Sequence, residues 1–318
     1  MRLANWLSWV LGTAVLAGVV VAALHFSEER EFARLAEQAK PGWLLVAFML
    51  QAATYSAQAE VFRGAPERAG LSLPKGWLYQ LSLAKLFVDQ ALPSAGISST
   101  VVVAKALQER GVARQTAAAC AMVNMASYHA AYVVTLLVAL AITSILRETN
   151  TYLVLVSMLF MAFALALTAG VLAMVGRRAR TGTKLHRLPV IRGVVTFLED
   201  ADATLVRNPR VFGAATMWQI AIFVLDAATM WVCIRSLGTS APADAVFASF
   251  MIASLVRTMG IVPGGLGTYE ATSVLTLRIV GLSLPVALSA TLIFRGFSFW
   301  IPMLPGLWAS RRVMKPAA

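Results

Sequence analysis

Charge is what this sequence has least of. Asp, Glu, Lys and Arg make up 13% of the 318 residues, where a water-soluble domain carries about 25%. So little charge cannot clothe a water-facing surface. That excludes a cytosolic enzyme, a secreted module and a disordered chain. Cysteine is nearly absent: Cys120 and Cys233 sit singly in apolar runs and offer neither a disulfide framework nor a metal cluster. No Gly-x-x-x-x-Gly-Lys-Ser/Thr string is present, so nothing reads as an ATP phosphate loop, and no cofactor or metal is called for. Acidic residues are the scarcer sign, 15 against 27 Lys and Arg, for a net charge of +12. Basic excess can signal nucleic acid, but 59% hydrophobic residues and a mean hydropathy of +0.74 argue for a membrane instead. What is abundant is apolar sequence in long runs, the mark of an all-α polytopic membrane protein.

Crossing the hydrocarbon takes about 20 apolar residues. Residues 6–26, 43–62, 115–146, 152–175, 211–234 and 285–309 qualify as six full spans. The first could be a cleaved signal peptide ending near Val21-Ala22-Ala23, but its apolar run is longer than such peptides use. Two further runs are interrupted. Residues 77–92 stop at Pro93-Ser94-Ala95-Gly96 and resume over 97–107; residues 246–262 stop at Pro263-Gly264-Gly265-Leu266-Gly267 and resume over 268–280. Pro and Gly break helices, so each run predicts a re-entrant helical hairpin, the alternative being two ordinary spans joined by a loop. Non-helical backbone is tolerated at that depth only against protein or a wet cavity.

Charge fixes the orientation. A cytoplasmic N-terminus places 18 Lys and Arg inside, 6 outside and 3 within apolar runs, with both termini cytoplasmic. Once acids are counted, the whole excess forms a cytoplasmic collar suited to anionic lipid headgroups. The expected location is the bacterial inner membrane, in multi-pass form.

The chain also resembles itself. Gly70-Leu-Ser-Leu-Pro74 aligns with Gly238-Thr-Ser-Ala-Pro242, Pro93 with Pro263, and Gly111 with Gly281, at offsets of 168 to 170. One integral membrane domain over 1–318 then divides into a first span and external loop (1–42), repeat A (43–146), a linking span and basic cytoplasmic loop (147–210), and repeat B with its tail (211–318). The odd span between the copies makes the repeat inverted, a transporter layout with broken helices at the midplane.

Ionisable groups inside apolar runs are expensive, about 2.5–3.5 kcal/mol each at a helix centre. Six stand out: Lys85, Asp89, Asp226, Arg257, Glu270 and Arg295. Lys85 and Asp89 share a helical face. Asp89 corresponds to Arg257 across the repeat, so the two are expected to meet between the hairpins. Arg suits bidentate phosphate binding, and the half-helix after each break, as over 264–269, could present N–H groups to an anion. The functional reading makes these charges, with Pro93, Gly96, Pro263, Gly264, Gly265 and Gly267 at the breaks, a midplane headgroup site; otherwise they are glue between helices. His129 reads either as a helix cap or as a proton relay.

The string Pro263-Gly-Gly-Leu-Gly-Thr-Tyr-Glu270, preceded by Arg257 and followed by Phe294-Arg295-Gly-Phe-Ser-Phe-Trp-Ile-Pro302, resembles the membrane domain of bacterial lysylphosphatidylglycerol synthase/flippases and their stand-alone relatives. That family shows Pro-Gly-Gly-Leu-Gly-x-x-Glu and, in its last span, an Arg with a downstream Pro. The resemblance implicates Arg257, Pro263, Gly264, Gly265, Gly267, Glu270, Arg295 and Pro302. Where the family usually has Gly-Glu in its first hairpin, this chain has Gly96-Ile97-Ser98-Ser99. No aminoacyl-transferase domain follows, so the resemblance implies the lipid-translocating half alone. The expected function is movement of a polar or charged lipid between leaflets, with Arg257 and Arg295 on the phosphate and Glu270 and Asp89 balancing them. The alternatives are a membrane enzyme acting on a lipid or polyprenyl phosphate, or a scaffold for a lipid-modifying enzyme. Expected partners are membrane lipids and anionic lipid at the collar, a second copy or a lipid-modifying partner, and no nucleic acid.

Overall fold

The computed structural model describes residues 39–92, 96–146, 201–258 and 263–314, with single helical positions at 158 and 162. The expected spans 6–26 and 152–175, most of the basic loop 176–210, and Pro93 lie outside the described residues. All regular elements among the described residues are helical. They run α1 Pro41–Arg68, α2 Lys75–Ala91, α3 Ile97–Glu109, α4 Arg114–Leu146, α5 Ala203–Val206, α6 Pro209–Ser236, α7 Ala243–Thr258, a 3-10 turn Pro263–Gly265, α8 Thr268–Ile279, α9 Leu284–Arg295, a π-helical segment Gly296–Trp300, and α10 Ile301–Val313.

Local chemistry sets these ends. Pro41 and Pro209 each open their helix, where a fixed φ helps and no N–H is missed. Asn208 caps α6 by accepting from the N–H groups of Arg210 and Val211. Asp202 caps α5, and the Thr204 hydroxyl, with backbone N–H groups beside it, holds its carboxyl below the usual range. Both hairpins close with the same stop. Val112 N–H reaches back to Leu107 O at 3.1 Å and Leu282 N–H to Leu277 O at 3.2 Å, around Gly111 and Gly281 at φ 81° and 104°.

The element lengths repeat in order. Helices α1 to α4 have 28, 17, 13 and 33 residues. Helices α6, α7 and α8 have 28, 16 and 12, followed by the 30-residue run Leu284–Val313. Three described helical runs are long and apolar enough to cross a membrane: Arg114–Ile142, Pro209–Ser236 and Leu284–Val313. Helix α1 is as long as α6 but carries Gln51, Gln58, Glu60, Arg63 and Glu67.

Helices α1 and α6 form the most extensive contact and run antiparallel. Lys40 N–H bonds Ser236 O at 2.9 Å, Trp43 packs edge-on against Trp231, Gln51 bonds Asp226, and Gly64 faces Val211. Two apolar clusters sit at opposite ends of this pair. One gathers the end of α1, the outer ends of α2 and α3, and the starts of α4 and α6. The other gathers the end of α6, the outer ends of α7 and α8, and the start of α9. The two hairpins therefore open toward opposite ends of the bundle. Their inner ends meet: α2 packs on the Pro263–Gly265 turn.

Candidate functional site

The second break is built around three glycines in left-handed conformation: Gly264, Gly265 and Gly267, with φ 57°, 66° and 78°. Space demands them as well. A Cβ on Gly264 would lie 2.2 Å from the Phe299 ring, and one on Gly265 would lie 2.5 Å from Cγ of Arg257. Side chains from two other segments thus fill the room these residues leave.

Arg295 closes the break. Its Nε donates to Glu270 Oε1 at 2.6 Å and a terminal nitrogen donates to Gly264 O at 3.0 Å. The other carboxylate oxygen of Glu270 accepts the Gly267 N–H at 2.6 Å. The Phe299 ring lies 4.3 Å beneath the guanidinium, with Tyr269 at 5.4 Å. The pair is sealed, with side-chain exposures of 2% and 1%. Arg295 therefore faces protein, where the sequence suggested a headgroup phosphate, and Glu270 occupies the start of α8 that was expected to greet an anion. Together they staple the break as a neutral unit.

The neighbouring segment is shaped by Pro302. In a regular helix residue 302 would donate to Ser298 O, but Pro has no N–H. Residues Gly296–Trp300 widen into a π turn, with Ile301 N–H reaching Gly296 O. The freed Ser298 carbonyl accepts from Gln90 Nε2 at 3.0 Å. One short stretch thus grips both hairpins, α8 through Arg295 and α2 through Ser298. Helix α10 then runs against α2 so closely that a Cβ on Gly306 would meet Leu83 O and Phe87 Cβ, each at 2.8 Å.

The first break is looser. Lys85 and Asp89 pair at 2.9 Å on α2, with side-chain exposures of 18% and 26%. Asp89 Oδ1 lies 4.0 Å from where a Cβ on Gly96 would be and has no hydrogen-bond partner among the described residues. Asp89 thus engages Lys85, and no ion pair joins it to Arg257 among the described residues, contrary to the expected meeting across the repeat.

Arg257 looks elsewhere. Its guanidinium stands over the Tyr269 ring at 5.9 Å and interacts electrostatically with Tyr128, Asp226, Tyr269 and Tyr132. Asp226, on α6, accepts from Gln51 Nε2 at 2.8 Å. Both are half-buried, and each keeps some accessible surface. No ion pair closes between them among the described residues.

Sequence reasoning passed over the neutral polar residues. Gln58 and Gln219 both donate to Asn124 Oδ1, at 2.9 and 3.2 Å, while Gln51 also reaches Thr229 Oγ1 at 3.2 Å. An offset of 168 carries Gln51 onto Gln219 and Gln58 onto Asp226, so the direct Gln51–Asp226 contact between α1 and α6 corresponds to the Gln58–Gln219 pair that Asn124 of α4 bridges. The seven-residue spacing within each helix, which keeps these residues on one helix face, was the available signal. His129 lies mid-helix in α4, where its Nδ1 is 2.8 Å from Met125 O one turn back, and it caps no helix end. Both cysteines are free and buried. A shallow depression of about 410 Å³ beside Lys40, Gly42, Trp43 and Val46 lies at the start of α1, remote from these charges.

The model of the family described as lysylphosphatidylglycerol synthase TM region matches residues 9–306. A UPF0104 membrane protein of Methanothermobacter thermautotrophicus is 27% identical over 111 residues, which span 35% of this chain and 32% of that one. Covering nearly the whole sequence, the family match places this chain in the lysylphosphatidylglycerol synthase TM region family.

Proposed function

We propose that the protein translocates a polar or charged lipid between leaflets of the bacterial inner membrane. In this reading two inverted repeats, α1–α4 and α6–α10, form six full spans and two re-entrant hairpins with both termini cytoplasmic. The repeated helix lengths, the antiparallel α1–α6 pair with its corresponding contacts, and the opposed hairpins support it. Leu83 and Met251, also related by 168, are both approached by the partner repeat's last helix, at Gly306 and through the Tyr132 hydroxyl. Arg63, Arg68, Lys75, Arg110, Arg114 and Arg312 all lie at helix ends beside one apolar cluster, which becomes the cytoplasmic face.

The observation that carries the proposal is a pair of half-buried opposite charges that close no ion pair between them among the described residues. Arg257 and Asp226 sit deep, accessible and unclosed, between a broken helix and the pseudo-symmetric pair. A headgroup can cross along such a polar path while its acyl chains stay in the bilayer. Arg257 meets the phosphate, Lys85 and Asp89 lie at the looser break, and the Glu270–Arg295 staple keeps the other break shaped. The test is reconstitution into vesicles holding tail-labelled phospholipids, with reductant quenching of the outer leaflet. Exchange that needs the protein and falls at least tenfold in Arg257→Gln supports the proposal. Vesicles whose inner-leaflet label stays protected refute it.

A further inference from the structure

Resting on that reading, the geometry points to the headgroup class: a zwitterion carrying one phosphate and one primary ammonium group. In this assignment Arg257 receives the phosphate and Asp226 the ammonium.

The argument starts from the failure of two opposite charges to close. In a low-dielectric interior they attract strongly, and an unpaired buried charge is costly. Both side chains are held back. The stem of Arg257 lies against Gly265, within 2.5 Å of where a Cβ would stand, and its guanidinium is set over the Tyr269 ring at 5.9 Å. Asp226 is tied to Gln51 at 2.8 Å. Each charge is therefore preorganised by its own anchor, and a ligand with the same two charges in reverse order answers both.

The other headgroup classes fit worse. An anionic headgroup without an amine satisfies Arg257 but meets the Asp226 carboxylate in a poorly solvated space. A purely cationic one meets Arg257. Two phenol hydroxyls add to the match: Tyr55 Oη and Tyr269 Oη are buried with no hydrogen-bond partner in the structure. Tyr55 lies one turn beyond Gln51, the residue that bonds Asp226, and the Tyr269 ring lies beneath Arg257. A phenol oxygen can accept from an ammonium and a phenol O–H can donate to a phosphate.

The test separates selectivity from transport. Detergent-purified full-length protein is incubated with equimolar phosphatidylethanolamine and phosphatidylglycerol, and the retained lipid is measured by mass spectrometry. The expected result is at least tenfold preference for the ethanolamine lipid, about 1.4 kcal/mol. Asp226→Asn keeps the oxygen that accepts from Gln51 and brings the ratio to about one; Arg257→Gln lowers retention of both lipids. Equal retention by the parent protein, or an Asp226→Asn ratio unchanged from the parent, overturns the inference. The same pair of lipids in the vesicle assay tests transport: exchange of both at equal rates sinks the headgroup assignment and leaves translocation standing. Selective retention without any exchange sinks translocation and leaves the headgroup assignment standing.

Discussion

Replacing Glu270 with Ala is the sharpest probe of the stapled break. The change leaves the Arg295 guanidinium, 2% exposed, without its counter-charge. Removing one partner of a buried ion pair costs about 3–5 kcal/mol, mostly the penalty of the stranded charge. The Gly267 N–H loses its acceptor at the same time. At about 2–4 °C per kcal/mol for chains of a few hundred residues, the apparent melting point in detergent should fall on the order of 10 °C. The eight tryptophans give an intrinsic fluorescence signal for the scan. The discriminating variant is the double change Glu270→Leu with Arg295→Met. Apolar replacement of a buried pair is often neutral or stabilising, so the double variant should melt above the single one. Only Gly264 O and the Gly267 N–H then remain unsatisfied. If the single variant melts with the parent protein, or the double variant melts below the single, the staple reading is wrong.

Other changes test separate joints. Gly306→Val should force α10 off α2, costing about 1–3 kcal/mol by overpacking, and show as faster proteolysis of the solubilised protein. Gln90→Ala strands the Ser298 carbonyl that Pro302 leaves free, with an expected loss of about 1–3 kcal/mol; chemical-denaturant unfolding reads it, and an unchanged midpoint would remove Gln90 from the junction. Asn124→Ala removes the acceptor shared by Gln58 and Gln219 and should lower the melting point more than Asn208→Ala, an exposed cap worth about 1 kcal/mol. The Asp202 cap has a depressed folded-state pKa, so its small, solvent-screened contribution is present above the ordinary carboxylate range. It is lost as pH falls through that depressed value, and Asp202→Ala should flatten that part of the stability profile.

The helices were legible because their causes are local. Pro41, Pro209 and Asn208 mark helix starts, and Gly111 and Gly281 mark the stops. Pro263 with its glycines marks the second break, and Lys85–Asp89 is an i,i+4 pair that spacing alone predicts. The site was only half legible. Its candidate charges could be named, and Lys85 and Asp89 could be placed on one helix face, but partners on different helices could not be assigned. Asp89 was matched to Arg257 by repeat arithmetic, whereas its own helix supplies Lys85 one turn away. Gln51, Gln58, Asn124 and Gln219 carry no charge and so drew no attention, although they form the polar seam between α1 and α6.

The sequence by itself determined that this chain is a membrane-embedded helical protein of its family. Membrane helices satisfy their backbone within each segment, so composition and the position of Pro and Gly suffice to place them. The tertiary structure decided which buried charge is sealed and which is open. Glu270 and Arg295 pair across 25 residues of chain, while Arg257 packs on Gly265, Asp226 bonds Gln51, and no ion pair joins the two among the described residues. Pairing in a low-dielectric interior depends on ångström-scale approach between helices, and no one-dimensional pattern encodes that distance.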